Sequence, residues 1–222
     1  QFCWLDLRFD EYGIIQEWFP YVRLLDNSVP SSPTIQTRLF NDYNTFTTQT
    51  RLSTYINLIS PTSTSVSWVR FFETSTGNLF ADSGRWIANS QIAFINSGAL
   101  RSNLPYGNLS YAQILNVAPF QNVWTTCQMK GEDILQVLEH SIALAAIYNS
   151  SAPGYSLSGR GRFLQVSGMR FVWNDKAPVG QRIIAMEVEV PTRGAIQYQP
   201  MVPEQWYTIA VPDYLAIQMG DD

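Results

Sequence analysis

The chain has a single histidine, His140, and only two cysteines, Cys3 and Cys127, in 222 residues. Zinc sites draw on several imidazole or thiolate donors, so this scarcity argues against a zinc centre. There is no H-E-x-x-H, no paired C-x-x-C and no D-x-D-x-D-G loop. A magnesium site built from carboxylates alone stays open, because isolated Asp and Glu residues carry no signature. A Ser-His-Asp triad would have to use His140, and no serine sits in G-x-S-x-G. Self-contained hydrolysis is a poor reading of such a chain. The two cysteines lie too far apart in sequence to suggest a disulfide framework. They read as two buried thiols, and they could pair only if the fold brought them together.

Positive charge is also scarce, with 14 Lys+Arg against 18 Asp+Glu and a formal net charge of −4. Neutralising nucleic-acid phosphates needs a basic face, which excludes that class of partner. The clusters Arg160-Gly161-Arg162 and Lys176 to Arg182 read as solvated loops. No apolar run approaches the ~20 residues of a membrane-spanning helix. No initiating Met is present, and Gln1 leads straight into Phe2-Cys3-Trp4-Leu5. The expectation is a chain that begins after processing or inside a longer protein, and the Asp221-Asp222 end reads as cut too.

What the sequence does have is 45% hydrophobic and 14% aromatic residues, enough for a packed core. Residues 3–9 and 14–22 alternate around Asp10-Glu11-Tyr12-Gly13, a hairpin with Gly13 at positive φ. Its aromatics (Phe2, Trp4, Phe9, Trp18, Phe19, Tyr21) exceed what two strands can bury between them, so another surface must cover them. After a Ser/Pro linker, apolar residues from Ile35 to Ile59 recur at helical spacing and predict one connecting helix over 33–60, ended by Pro61. Further expectations are a strand at 65–72, helices at 77–88, 111–115 and 130–146, and a buried strand at 92–95. Strands are also expected at 122–129, at 163–173 with a bend at Gly168, at 182–190 and at 206–211. In the 130–146 helix, Ile134, Leu138 and Ile142 share an apolar arc. His140 falls off that arc beside Glu139 and reads as a half-exposed polar contact. Two acceptor sequons, Asn108-Leu109-Ser110 and Asn149-Ser150-Ser151, lie in stretches that read as loops and make Asn108 and Asn149 glycosylation candidates. Helices interspersed with nearby strands give an α+β layered fold.

Six segments in sequence order carry a resemblance. They are Gly77-Asn78-Leu79 with Ala81-Asp82; Ile92 to Arg101, reading I-A-F-I-N-S-G-A-L-R; Ala118-Pro119-Phe120; Met129-Lys130-Gly131 with Leu138-Glu139-His140-Ser141; Phe163 to Gly168, reading F-L-Q-V-S-G; and Tyr207 through Asp213-Tyr214-Leu215-Ala216. Together they resemble the C-terminal domain of the 5′-nucleotidase family, which includes the insect salivary apyrases. The resemblance implies a four-layer α/β/β/α sandwich at 61–222. It implies that residues 1–32 are the exit from an N-terminal domain and that 33–60 is an interdomain helix. It also implies a secreted protein, salivary if from an insect. The family's divalent metal pair belongs to an N-terminal domain whose motifs are absent here, so no cofactor is expected in this chain.

The resemblance assigns ligand roles to particular residues. Phe120 and Tyr214 match the two aromatics that clamp a purine, Asn96 the amide that meets the nucleoside, and Arg101 a phosphate-binding guanidinium. Base stacking and charge-assisted forks suit those residue types. Read without the family, Phe120 could be core, Tyr214 a strand cap and Asn96 a brace for the turn after a buried strand. The family's second arginine falls at Phe72; Arg70, two positions away on an expected strand, is the substitute, shifted by about 7 Å. Asp221 matches the ribose-binding acid in a segment that has lost paired glycines. Ala99 replaces a glycine, and any positive φ there would cost on the order of 1 kcal/mol. These departures predict weakened or lost binding of adenine nucleotide or nucleoside. The leading reading is a non-catalytic binding domain, acting on a ligand or a host macromolecule; a further reading is a surface-recognition target such as an antibody-bound domain. The alternative is the substrate-holding half of an active secreted nucleotidase or apyrase.

Overall fold

The structure is a computed structural model that describes residues 2–23, 28–49, 55–60, 69–143, 161–190, 194–218 and 220. The chain divides into two compact units, Gln1–Arg51 and Leu52–Asp222. In the first, β1 (Phe2–Phe9) and β2 (Ile15–Arg23) form the expected antiparallel hairpin. Asp10 organises its turn. Oδ1 accepts the N–H groups of Tyr12 and Ile14 at 2.9 Å each, Oδ2 accepts the Gln16 amide at 2.8 Å, and Gly13 takes φ +78°. The Ile14 N–H contributes most to holding this carboxyl below its ordinary pKa. Phe9, Trp18, Phe19 and Tyr21 are exposed. Helix α1 (Pro33–Gln49) follows, with proline in its first turn where a missing N–H costs nothing.

The single helix expected over 33–60 is corrected here. It stops at Gln49, and β3 (Tyr55–Ser60) is a strand of the second unit. Its partner is β5 (Gly107–Ser110), antiparallel, far along the chain. Apolar residues at 55, 56 and 59 suit a helix face or a strand equally well, and a distant pairing decides between them.

The second unit is built on a four-stranded sheet. Its strands are β4 (Ile92–Asn96), β6 (Trp124–Lys130), β7 (Leu164–Ser167) and β11 (Trp206–Pro212), in the order β6-β11-β4-β7. The last strand thus lies in the middle, parallel to β4 and antiparallel to β6. A second, antiparallel sheet runs β10-β9-β8, from β8 (Met169–Trp173), β9 (Ile183–Val190) and β10 (Gln197–Pro200). All five residues of β4 are buried. Alternation sends Ile92 and Phe94 into a core with Leu164, Met169, Val188 and Ile209, and with Ile134 and Leu138 of α4 (Gly131–Ile142). On the other face, Ile95 packs with Ala81 of α2 (Ser75–Ala88), Leu100, Leu109 and Val117. The α+β layered architecture expected from the sequence is the one found.

Local chemistry explains several element ends. Thr74 caps α2 by accepting the Gly77 N–H at 3.1 Å. Ser110 and Gln113 form a capping box at the start of α3 (Tyr111–Val117). Gly168, at φ +73°, is the expected bend, and it passes the chain from the four-stranded to the three-stranded sheet. The helix expected at 130–146 is described over Gly131–Ile142. Glu139 is not on its solvent face: it is buried, and its Oε1 accepts the Ile183 N–H at 2.7 Å. His140 is exposed with Nε2 3.1 Å from an Arg162 guanidinium nitrogen. The strand expected at 65–72 is corrected as well: residues 69–72 form a turn, while 65–68 lie outside the described residues.

Candidate functional site

Asn96, Arg101, Phe120, Tyr214 and Arg70 line one cavity of about 580 Å³, together with Asn122. Five of the six ligand candidates therefore share a wall, although they come from well-separated stretches of chain. The sixth, Asp221, lies outside the described residues. Among the described lining residues there are two guanidiniums and no carboxylate. In a chain of net charge −4 this is a local positive site, suited to an anion.

The backbone explains the convergence. Asn96 is the last residue of β4 and is buried. The chain then makes a short 3₁₀ turn at Ser97–Ala99, tied by Ser97 N–H to the Phe163 carbonyl at 2.8 Å and by Gly98 N–H to the Gly161 carbonyl at 2.9 Å. Arg101 N–H donates to the carbonyl of Val117, the last residue of α3, at 2.7 Å. That bond brings Arg101 beside the segment that leaves α3 through Pro119 to Phe120. The Arg101 guanidinium lies 5.9 Å from the centroid of the Phe120 ring. Tyr214 sits on α5 (Asp213–Ala216), directly after β11. Asp213 ties the two aromatic segments together: its carboxylate accepts the Val123 N–H at 3.1 Å, and its own N–H donates to the Val123 carbonyl at 2.8 Å. Asp213 stood in the quoted motif, but nothing in the sequence marked it as a brace.

The structure answers the alternatives left open for Phe120 and Tyr214. Phe120 is 57% exposed, so it is not core. Tyr214 is the second residue of a short helix and does not cap a strand. Ala99 is not among the positive-φ residues, so the strain conceived for it is absent; Gln121, next to Phe120, takes φ +53° instead. Because 69–72 is a turn and not a strand, Arg70 and Phe72 do not share a face. Arg70 lines the cavity, whereas Phe72 lines a different groove of about 1050 Å³ beside α2. That larger groove contains none of the candidate ligand residues, and its Arg85 is paired with Glu189 at 2.6 Å. Gly220 survives from the glycine-rich segment in a useful place, since a Cβ there would fall 2.1 Å from the Tyr214 ring.

Two further expectations need correction. Asn108 lies on β5 and not in a loop, with its side chain exposed; Asn149 is outside the described residues. Both cysteines are free thiols, but Cys3 is exposed, and only Cys127 is partly buried, with its pKa pushed up by desolvation.

Residues 49–222 match the sequence profile of the family described as 5′-nucleotidase, C-terminal domain. The chain belongs to that family. An apyrase of Aedes aegypti is 28% identical over 224 residues, covering 96% of this chain and 36% of its own length. The snake venom 5′-nucleotidase of Naja atra is 23% identical, covering 96% of this chain and 41% of its own. The solved 5′-nucleotidase precursor of Thermus thermophilus superimposes with a TM-score of 0.71 and 25% identity, over 96% of this chain and 40% of that one. The chain thus spans roughly two fifths or less of the length of the curated relatives it matches. The described residues do not offer a donor set for the metal pair that the resemblance implies. Among the described residues no group of three or more His, Cys, Asp or Glu side chains converges, and the one imidazole contacts an arginine.

Proposed function

We propose that this domain recognises a purine nucleotide in the cavity between Phe120 and Tyr214 and does not itself hydrolyse it. The observation that carries the reading is the gathering of two aromatic rings, a buried amide and two guanidiniums in one cavity without a carboxylate among the described residues. The rings stack on the base, Asn96 meets the nucleoside, and Arg101 with Arg70 bonds the phosphate. Asp221 is the ribose acid in this reading. The absence of the expected strain at Ala99 and the presence of Arg70 in the lining support retained binding, stronger than the sequence departures suggested. An extracellular setting is supported by the venom relative's printed name, and in that setting exposed Asn108 is the glycan acceptor.

A second reading has one observation in its favour. The chain spans only 36% of the Aedes apyrase, so the domain would hold substrate for a metallophosphatase part of a larger secreted enzyme. Both readings share one test on this chain. Calorimetry should show AMP binding, with adenosine weaker by about ten-fold or more, because a hydrogen bond to a charged group contributes about 1.5–3 kcal/mol. Incubation with AMP and Zn²⁺ or Mg²⁺ should release no phosphate. Failure of both ligands to bind would end the proposal, and turnover by the chain alone would refute its non-catalytic part.

A further inference from the structure

We infer that Gln165 is a positioning residue that aims Arg70 into the cavity, an inference that rests on the nucleotide reading above. Gln165 lies on β7 opposite Ile95 of β4 and is 1% exposed. A buried primary amide is costly unless its polar atoms are matched. Here the whole side chain is spent on one turn. Its Nε2 donates to the carbonyls of Val69 at 2.8 Å and Phe72 at 2.7 Å. Its Oε1 accepts the Thr74 N–H at 2.9 Å and the Thr74 hydroxyl at 3.4 Å.

The two accepting carbonyls flank Arg70 on either side. The Val69 carbonyl lies in the peptide that carries the Arg70 N–H, and the Phe72 carbonyl in the peptide joining Phe72 to Glu73. Holding both pins the turn before and after Arg70, and with it the separation of Arg70 toward the cavity from Phe72 toward the neighbouring groove. Thr74, held by the same amide, is also the cap of α2, so the turn is anchored at its far end. Gly77 makes room for this arrangement: a Cβ there would fall 2.1 Å from Gln165 Oε1. The clamp thereby turns an arginine two places from the family position into a member of the ligand site.

The test is calorimetry on the 222-residue chain with AMP and adenosine, for wild type, Gln165→Met, Arg70→Ala and the double variant. Methionine keeps the approximate volume and makes none of the four bonds. AMP affinity should fall about ten-fold or more in Gln165→Met while adenosine changes by less than about two-fold. The double variant should bind AMP no more weakly than Arg70→Ala, since both changes remove one contact. A purely structural amide would lower both ligands together and add to Arg70→Ala, and either result overturns the inference. Should Gln165→Met not fold, Gln165→Glu keeps the shape and the acceptor for Thr74 but sets a carboxylate oxygen against two carbonyls, and the same selectivity is expected. Hydrogen exchange at the Thr74 amide of the unliganded protein separates the two claims. Accelerated exchange in the variant, with no AMP binding by wild type, would leave the clamp standing and remove the nucleotide reading with its purpose. Unchanged exchange in Gln165→Met would remove the clamp itself, whereas Gln165→Glu, which keeps the Thr74 acceptor, is read by its AMP selectivity alone.

Discussion

An aromatic ring that is 57% exposed beside a positive cavity has little to do for the fold, and Phe120 is such a ring. Stacking of a base on an aromatic side chain contributes about 1–3 kcal/mol. Phe120→Ala should therefore weaken both AMP and adenosine by about ten-fold or more, with thermal stability nearly unchanged. Equal binding by the variant, measured by calorimetry, would show that the base does not rest on this ring. The contrast with Arg70 is useful: removing the ring touches both ligands, removing the guanidinium only the one with a phosphate. At this scale the sequence was informative about Asn96, Arg101, Phe120 and Tyr214, which line one cavity, because they sit in short motifs with a recognisable order. It was silent about Gln165, although Gln165 stood in one of those motifs. Its bonding partners are 91, 93 and 96 residues away, and no local pattern carries such a pairing.

Elements were legible where burial imposes a single period. The all-buried β4 and the apolar arc of α4 are such cases: β4 was placed within a residue at both ends and α4 within a residue at its start, while its expected end at 146 lies four residues past Ile142. Legibility failed for β3, where Tyr55-Ile56-Asn57-Leu58-Ile59 fits two periods and the partner strand lies some fifty positions on. It failed again at 69–72, where side-chain bonds from β7 override the strand propensity of Val69, Phe71 and Phe72. Gly168 is the junction on which the two sheets depend. Its φ of +73° costs an L-residue about 1–2 kcal/mol, and a Cβ there would lie 2.0 Å from the Gln91 carbonyl oxygen, which is backbone and cannot swing aside. Gly168→Ala should destabilise the protein by about 2 kcal/mol or more, read from chemical denaturation at constant m-value. A smaller loss would mean that β7 and β8 can be joined without the left-handed turn.

For the molecule as a whole, the placement of β11 between β6 and β4 was beyond any local reading, since a strand far along the chain from both completes the centre of the sheet. The division of labour between the two units leads to the final prediction. Among the described residues, every member of the buried core clusters lies at or beyond Val69, and so does every ligand candidate. The first unit offers a hairpin whose Phe9, Trp18, Phe19 and Tyr21 are exposed, and a two-stranded hairpin is marginal in water. A chain beginning at Leu52 keeps β3 and its pairing with β5 and should melt cooperatively, with a Tm within a few degrees of the longer chain. Its AMP affinity should agree within about two-fold, and residues 1–51 alone should show no cooperative transition. Scanning calorimetry and AMP titration of the two fragments make the check. Loss of AMP binding in a well-folded 52–222 fragment would mean that residues 1–51 contribute to the ligand site, contrary to a cavity complete within the second unit.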